Sequence, residues 1–409
     1  MKVLYVTKLL PYGMAEAHIL PEMASHKNQG WEIKIAQLHR GPITHESARA
    51  LLQSTFDQPL VSGTILVGAV RAFFRNPTGA IAILGEFLRS RNLAILARNL
   101  TTYPKALWLS EVIRRERFDH VHMHWAATPT TLGAAAAILA KTPYSVTAHR
   151  YDIAQRNLLR WKARNAVFIR AIDEAGANEI HDDIGADMKR PVVLHVGVRI
   201  PPETAPVREG VLDPLRVIVG ARLAEKKGIR YLIEGVAKAR HAGIATSVDI
   251  FGDGELEDEL KALTADLDLQ DAITFHGVAA HEKLLRELRT GAYDLASLTS
   301  ITGLDGDKEG IPVFLMEAMA AGVPVLTTPN GGILELAGNG KGIVVPERDS
   351  DAVAEGLVRF AKDEGLRRQL AADGRAHVVD AFEVESCMRR LRGLILQGSV
   401  DVANGDLGQ

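Results

Sequence analysis

Short apolar runs recur along the chain, each followed by a glycine- or proline-bearing loop and then an amphipathic stretch of helical period. Lys2 to Val6 is the first run, and it reads as a buried strand. A loop with Pro11 and Gly13 follows, then a helical pattern from Glu16 to Ala24, a stop at Gly30, and a second strand from Trp31 to Ala36. Strand, loop, helix, strand is the opening of a doubly wound α/β unit, whose ligands bind beyond the carboxyl ends of the strands. The loop around Gly13 is therefore expected to face that crevice. Residues 41–118 carry long helical patterns and little β signal. Further strands are predicted at Asp119 to Trp125, Pro143 to Ala148 and Val192 to Val196.

Four prolines, Pro201, Pro202, Pro206 and Pro214, then mark a polar span that reads as a linker. A second α/β series begins behind it. Strands are predicted at Arg216 to Gly220, Ser247 to Phe251, Ile273 to Gly277, Ala292 to Leu298 and Val323 to Leu326, with helices between them. The pattern gives an N-terminal unit over 1–200 and a second over 207–374. An amphipathic helix at about 375–396 is expected to return to the first unit, and 398–409 to form a disordered tail.

Composition narrows the class. With 409 residues, 47% hydrophobic and 24% charged, the chain can fill two full cores. A net charge of −2 argues against a general nucleic-acid binder. A single cysteine, Cys387, allows no internal disulfide and no cysteine-based metal site, and suits a reducing cytoplasm. No apolar run reaches the roughly 18–20 residues that cross a bilayer. The stretch from Val70 to Arg117 is nonetheless both apolar and basic, with Arg71, Arg75, Arg89 and Arg91 among its cations. It is either a solvated helix face with packing beneath it or an acceptor or membrane-surface face.

Candidate chemistry gathers at predicted strand ends. His120, His122 and His124 alternate on one strand and so share a face. Three histidines with no nearby carboxylate partner read as packing and hydrogen bonding rather than a metal site. His124, at the strand's carboxyl end, could reach the crevice. His149 falls just past the next strand, where Asp152 could orient it. Arg222 and Lys227 flank one loop after a strand and can converge on one phosphate group. Asp305 and Asp307 form an Asp-x-Asp pair, read as a solvated turn rather than a metal site. Glu317 is a carboxylate among Leu315, Met316, Ala318 and Met319, costly to bury unless hydroxyls bond to it. The start of its helix, near Gly310 to Val313 with Glu309 just before, offers amides and a positive dipole end to an anion.

In order, the chain holds Thr147-x-His149-x-x-Asp152, Gly220-x-Arg222 with Lys227-Gly228, Gly252-Asp-Gly254, Phe275-x-Gly277, and Glu309-x7-Glu317 with Gly322-x-Pro324. Together these resemble the retaining, nucleotide-sugar-dependent glycosyltransferases of family 4. Residues Met1 to Leu38 and Phe118 to His124 are most similar to its exopolysaccharide, colanic-acid-type branch. The resemblance implies a B-type fold, two Rossmann-like domains facing each other across a cleft. It implies that Arg222 and Lys227 bind the donor diphosphate, that Glu317 takes the ribose hydroxyls, and that Glu309 and His149 serve the transferred sugar. Gly310, Ile311, Val313 and Phe314 would supply amides, Gly277 the neighbourhood of the base, and Gly13 a close approach to the sugar. His124 and Asp152 would lie toward the acceptor, a saccharide carried on lipid, with no metal and no other cofactor. The chain departs from the family at Arg170-Ala-Ile-Asp-Glu, where a serine-containing pattern is common. The expected activity is sugar transfer to a surface polysaccharide, in the cytoplasm at the inner face of the cell membrane. A nucleotide-sugar-binding protein without transfer and an epimerase on the same fold are the alternatives.

Overall fold

Strand β1 (Lys2–Thr7) is buried on both faces, which is why it reads as an unbroken apolar run. Leu4 and Val6 enter a large core with Val121, Met123 and Val146, while Val3 and Tyr5 enter a smaller one with Ile19, Met23 and Ile35. The strands β2 (Glu32–Gln37), β3 (His120–His124), β4 (Tyr144–Ala148), β5 (Phe168–Ala171) and β6 (Val192–Val193) complete a parallel sheet in the order β2-β1-β3-β4-β5-β6. The computed structural model describes residues 1–12, 16, 19–42, 49–304 and 306–403.

A second parallel sheet holds β7 (Leu215–Gly220), β8 (Thr246–Phe251), β9 (Ile273–Gly277), β10 (Leu295–Leu298), β11 (Val325–Thr327) and β12 (Ile343–Val344), in the order β12-β11-β10-β7-β8-β9. Both orders reverse direction beside their first strand, between β1 and β3 and between β7 and β10. Those are the switch points where doubly wound sheets receive ligands. The α/β expectation and its two Rossmann-like sheets hold.

The boundaries differ from the sequence reading. The units are Met1–Val196 with Glu385–Gln409, and Gly197–Val384. The proline-bearing span is not a free linker. Ala205 and Leu212 are buried, and their amides donate to Ala321 and Ala361 carbonyls at 2.8 and 3.0 Å. Proline excludes regular structure without preventing burial. The returning helix also starts later than 375. The helix Glu364–Ala381 stays with the second unit, where Val378 is buried and Arg375 donates to the Pro201 carbonyl at 2.9 Å. The helix that returns is Val384–Ala403, so the expected tail is helical through Ala403.

In the N-terminal unit the helical stretch resolves into Gly63–Arg75, Pro77–Phe87 and Leu93–Glu116. Ser62, Asn76 and Asn92 each cap one of them by accepting the amide three residues on. The helix expected from Glu16 begins at Leu20, with Pro21 in its first turn.

Candidate active site

The loop after β7 is stapled to the end of β10. Gly228 has φ +59°, and a Cβ there would lie 1.9 Å from the Thr299 carbonyl oxygen, so no larger residue fits. The Thr299 hydroxyl donates to the Gly228 carbonyl at 2.8 Å, and the Ile301 amide to the Lys226 carbonyl at 2.8 Å. This staple carries Lys227 to Glu309, where Nζ lies 2.7 Å from Oε1. It is a charge contact rather than an aligned hydrogen bond, because Oε1 has no hydrogen-bond partner of good geometry. Glu309 is buried, and its amide donates to Asn330 Oδ1 at 2.7 Å. Asn330 in turn donates to Glu347 at 2.7 Å and to Thr302 at 3.1 Å. Arg222 is solvent-facing and paired with Glu255 at 3.1 Å. The resting site thus holds both cations against carboxylates of its own.

Pro312 caps the helix Val313–Ala320, whose first amides lack intrahelical acceptors. Gly310 and Ile311 precede it in a half-buried loop, Val313 is exposed, and Phe314 packs where a Cβ on Gly220 would stand. Glu317 is mostly buried, and Oε1 accepts from His281 Nε2 at 2.7 Å. The hydrogen bond to Glu317 raises the pKa of His281, so the pair attracts a proton. Gly277, at φ +66°, closes β9. Asp305 and Gly13 lie outside the described residues. Asp307 is partly exposed and pairs with Lys226 at 2.8 Å.

In the N-terminal unit the three histidines of β3 share a buried face, as their alternation requires. His120 and His122 both bond to the Ser145 hydroxyl, at 2.7 and 2.8 Å. His122 reaches Thr147 at 3.0 Å, and His124 Nδ1 lies 3.3 Å from His149 Nε2. A carboxylate does stand beside them, contrary to the sequence reading. Glu22 arrives from the helix Leu20–Asn28, far away in the chain, and its Oε1 lies 3.2 Å from His124 Nε2. Glu22, His122 and His124 bring ligand-type atoms within 4.8 Å of one another, a grouping that could hold a metal ion. The cluster already has a cation, however: Arg170 donates to Glu22 Oε2 at 3.0 Å. Burial would raise the Glu22 pKa, but His124, His122 and Arg170 outweigh it and hold the group well below the usual carboxylate range. Burial pushes His122 well down and His120 to about 3.

Asp152 serves His149 through the backbone. Its Oδ1 accepts the His149 amide at 2.7 Å and its Oδ2 the Ala126 amide, which ties the β3 and β4 loops together. Burial raises Asp152 to about 7, and Lys162 lies close enough to oppose that rise. Glu16, also buried, accepts the amides of Lys8, Leu9 and Leu10 at the end of β1, and the Trp125 indole.

Two family models divide the chain between them. Residues 205–377 match "Glycosyl transferases group 1" and residues 67–200 match "Glycosyltransferase Family 4". A family 4 glycosyltransferase match thus precedes a group 1 glycosyl transferase match along the chain. Among relatives, the amylovoran biosynthesis glycosyltransferase AmsK of Erwinia amylovora is 35% identical over 213 residues, 52% of each chain. The putative colanic acid biosynthesis glycosyltransferase WcaL of Salmonella typhimurium is 39% identical over 44% of this chain and 45% of its own. The chain thus spans about half the length of these two relatives. The WcaL of Escherichia coli aligns over 93% of this chain and 96% of its own, at 28% identity. In fold the chain resembles Anabaena HepE, solved with UDP, at a TM-score of 0.71, with 18% identity over 97% of this chain and all of that one.

Sequence reasoning missed Glu16, Glu22, His281, Asn330 and Glu347. The odd Arg170 was visible as a departure from the family pattern, and it marks the Glu22 cluster.

Proposed function

We propose that the chain is a retaining, metal-independent glycosyltransferase that moves a sugar from a nucleotide-diphosphate donor to an exopolysaccharide acceptor. The observation that carries this reading is the Lys227–Glu309 contact at the switch point of the second sheet. As the bond from the sugar's anomeric carbon to the diphosphate breaks, negative charge grows on the leaving oxygen. A preformed cation and helix-start amides stabilise that charge without reorganising. Lys227 and Arg222 would turn from their carboxylates to the diphosphate. Glu309 would then accept hydroxyls of the sugar, Glu317 would take the ribose diol beside or in place of His281, and Gly277 would border the base. On the N-terminal unit, His149 would serve the transferred sugar and His124 and Asp152 would support it. With two cations assigned to the diphosphate, no divalent ion is needed.

A thermal-shift panel of UDP-, GDP- and ADP-sugars tests the reading, because a ligand bound only by the folded state raises its stability. One donor should stand out and undergo slow hydrolysis without acceptor, in excess chelator. No shift with any donor would refute donor binding. Hydrolysis lost in chelator and restored by a divalent ion would refute metal independence.

We further propose that the acceptor is lipid-linked and that the enzyme works in the cytoplasm at an anionic membrane. Among the described residues no helix is long and apolar enough to cross a membrane. What supports a surface contact is a row of exposed apolar side chains. Leu66, Val67, Val70 and Phe74 fall on one side of Gly63–Arg75, and Ile81, Leu88 and Leu93 are exposed in the segments that follow. Charge contributes less than composition suggests, since Arg75 pairs with Glu111 and Arg89 with Glu86. Co-sedimentation with phosphatidylglycerol vesicles is expected to fall strongly in Phe74→Ser/Leu93→Ser and only partly in Arg71→Glu/Arg91→Glu. Wild-type protein that stays in the supernatant at low salt would remove the proposal.

A further inference from the structure

Three neighbouring strands, β10, β11 and β12, send the loops at their carboxyl ends to one point. Thr302 follows β10, Asn330 follows β11 and Glu347 follows β12. Glu347 Oε2 accepts the Thr302 amide at 2.8 Å, and Oε1 accepts from Asn330 Nδ2 at 2.7 Å. The same Asn330 nitrogen donates to the Thr302 hydroxyl at 3.1 Å, and Arg348 donates to the Thr302 carbonyl at 2.7 Å. Burial would raise the Glu347 pKa, but the Thr302 amide, Asn330 and the Thr302 hydroxyl outweigh it and hold the group below its ordinary value. An ionised carboxylate only accepts and a backbone amide only donates, so the two together fix which way Asn330 is turned. Its nitrogen faces Glu347 and its oxygen takes the Glu309 amide, at 2.7 Å. The Glu309 carbonyl is wedged from the same loop. Gly331 has φ +56°, and a Cβ there would lie 1.8 Å from that carbonyl oxygen.

We propose that Glu347 and Asn330 are positioning residues that hold the Glu309 backbone still while its side chain changes partners, from Lys227 to the transferred sugar. The proposal rests on the reading of Glu309 as the group that meets that sugar. In the resting site the carboxylate is placed by Lys227, and donor binding draws Lys227 away to the diphosphate. A side chain that loses its partner at that moment keeps its aim only if its base is fixed. Glu347 touches neither sugar nor phosphate in this scheme and acts wholly through Asn330 and Thr302.

An exchange of polarity tests the clamp in the full-length protein. Glu347→Gln can still accept from Asn330 but then turns an N–H toward the Thr302 amide, and Asn330→Asp sets two carboxylates face to face. With the preferred donor, each should lower kcat about tenfold or more while KM and the affinity for free nucleoside diphosphate stay within about threefold, because aim is lost rather than the phosphate grip. Asn330→Asp/Glu347→Gln keeps the wild-type net charge and restores the bonds with donor and acceptor exchanged. The carboxylate at 330 accepts from the Glu309 amide and from the side-chain amide at 347, whose oxygen still takes the Thr302 amide. The double variant should recover most of kcat. Wild-type kcat in both single variants, or a double variant no better than the worse of them, overturns the proposal. So does a loss of free-nucleotide affinity that matches the loss in kcat, the mark of a merely structural role. Hydrogen exchange reads the clamp without substrate: the Glu309 amide should be protected in the wild type and the double variant, and exchange faster in Asn330→Asp. An unprotected Glu309 amide in the wild type overturns the clamp. No donor turnover by the wild type, with that exchange pattern intact, would instead refute the glycosyltransferase reading and leave the clamp standing.

Discussion

Lowering the pH from 7 to 5 should destabilise the N-terminal unit by on the order of 3 kcal/mol, while binding no ligand and touching no covalent bond. Three buried histidines drive this. Burial lowers His26 to about 4, His120 to about 3, and His122 well below its usual value. The unfolded chain takes up protons on these rings near pH 6.5, whereas the folded chain refuses them until far lower pH. Stability from a depressed histidine is complete above 6.5 and is lost as pH falls, by up to about 1.4 kcal/mol per group per pH unit. Asp152, raised by burial to about 7, and Asp173, also raised by burial, act in the other direction. They gain protons in the folded state and offset part of the loss. Below about pH 4.5 Glu22, held ionised, adds its own loss. The protein carries a convenient reporter: its four tryptophans, Trp31, Trp108, Trp125 and Trp161, all belong to the N-terminal unit. Denaturant midpoints read by tryptophan emission should therefore fall steadily between pH 7 and 5. Midpoints that do not move over that range would show that the histidine seam is not neutral in the folded state.

Lys227→Ala is expected to weaken donor binding by about 10- to 100-fold, from the loss of about 1.5–3 kcal/mol of charge-assisted contact. It should also reduce stability, because Glu309 is buried and would keep its charge without its cation. The two effects can be separated. Glu309→Gln removes the stranded charge, so the double variant should recover most of the stability and none of the diphosphate binding. Calorimetry against the free nucleoside diphosphate, alongside denaturant unfolding, reads both quantities on the same proteins. If the double variant binds diphosphate as the wild type does, Lys227 is a structural partner of Glu309 and has no part in the donor site.

Local features of the chain were legible before any fold was known. Most strands showed because they are largely buried and therefore rich in apolar residues, although β9 is exposed at Thr274 and His276 and β3 carries three histidines. Gly228, Gly277 and the Gly252-Asp-Gly254 turn showed because only particular residues tolerate those conformations. Glu309 and Glu317 were visible because a loop and the helix that follows it keep their spacing in sequence, and Lys227 because it stands beside Gly228 in the loop after a strand. Their resting partners were hidden. His281 reaches Glu317 from a different helix, and Asn330 holds Glu309 from the loop after another strand. Glu22 meets His124 across 102 positions and Arg170 across 148. Such pairs depend on how the sheet is wound, which no short window of residues contains. The proline-bearing span shows the converse error. Its composition correctly denied it regular structure, but said nothing about Ala205 and Leu212 being packed into a core.

The buried Glu16 gives the two sheets opposite characters. At the end of β1, three successive amides converge on its carboxylate, so the chain supplies its own anion where a doubly wound sheet ordinarily leaves a vacancy for phosphate. At the end of β7 the arrangement is reversed, with Lys227 a cation that an incoming anion can recruit. Repetition of one architecture therefore does not duplicate its chemistry. A single internal side chain fills the amide cradle of the first sheet, whereas the second presents a cation at the matching strand end.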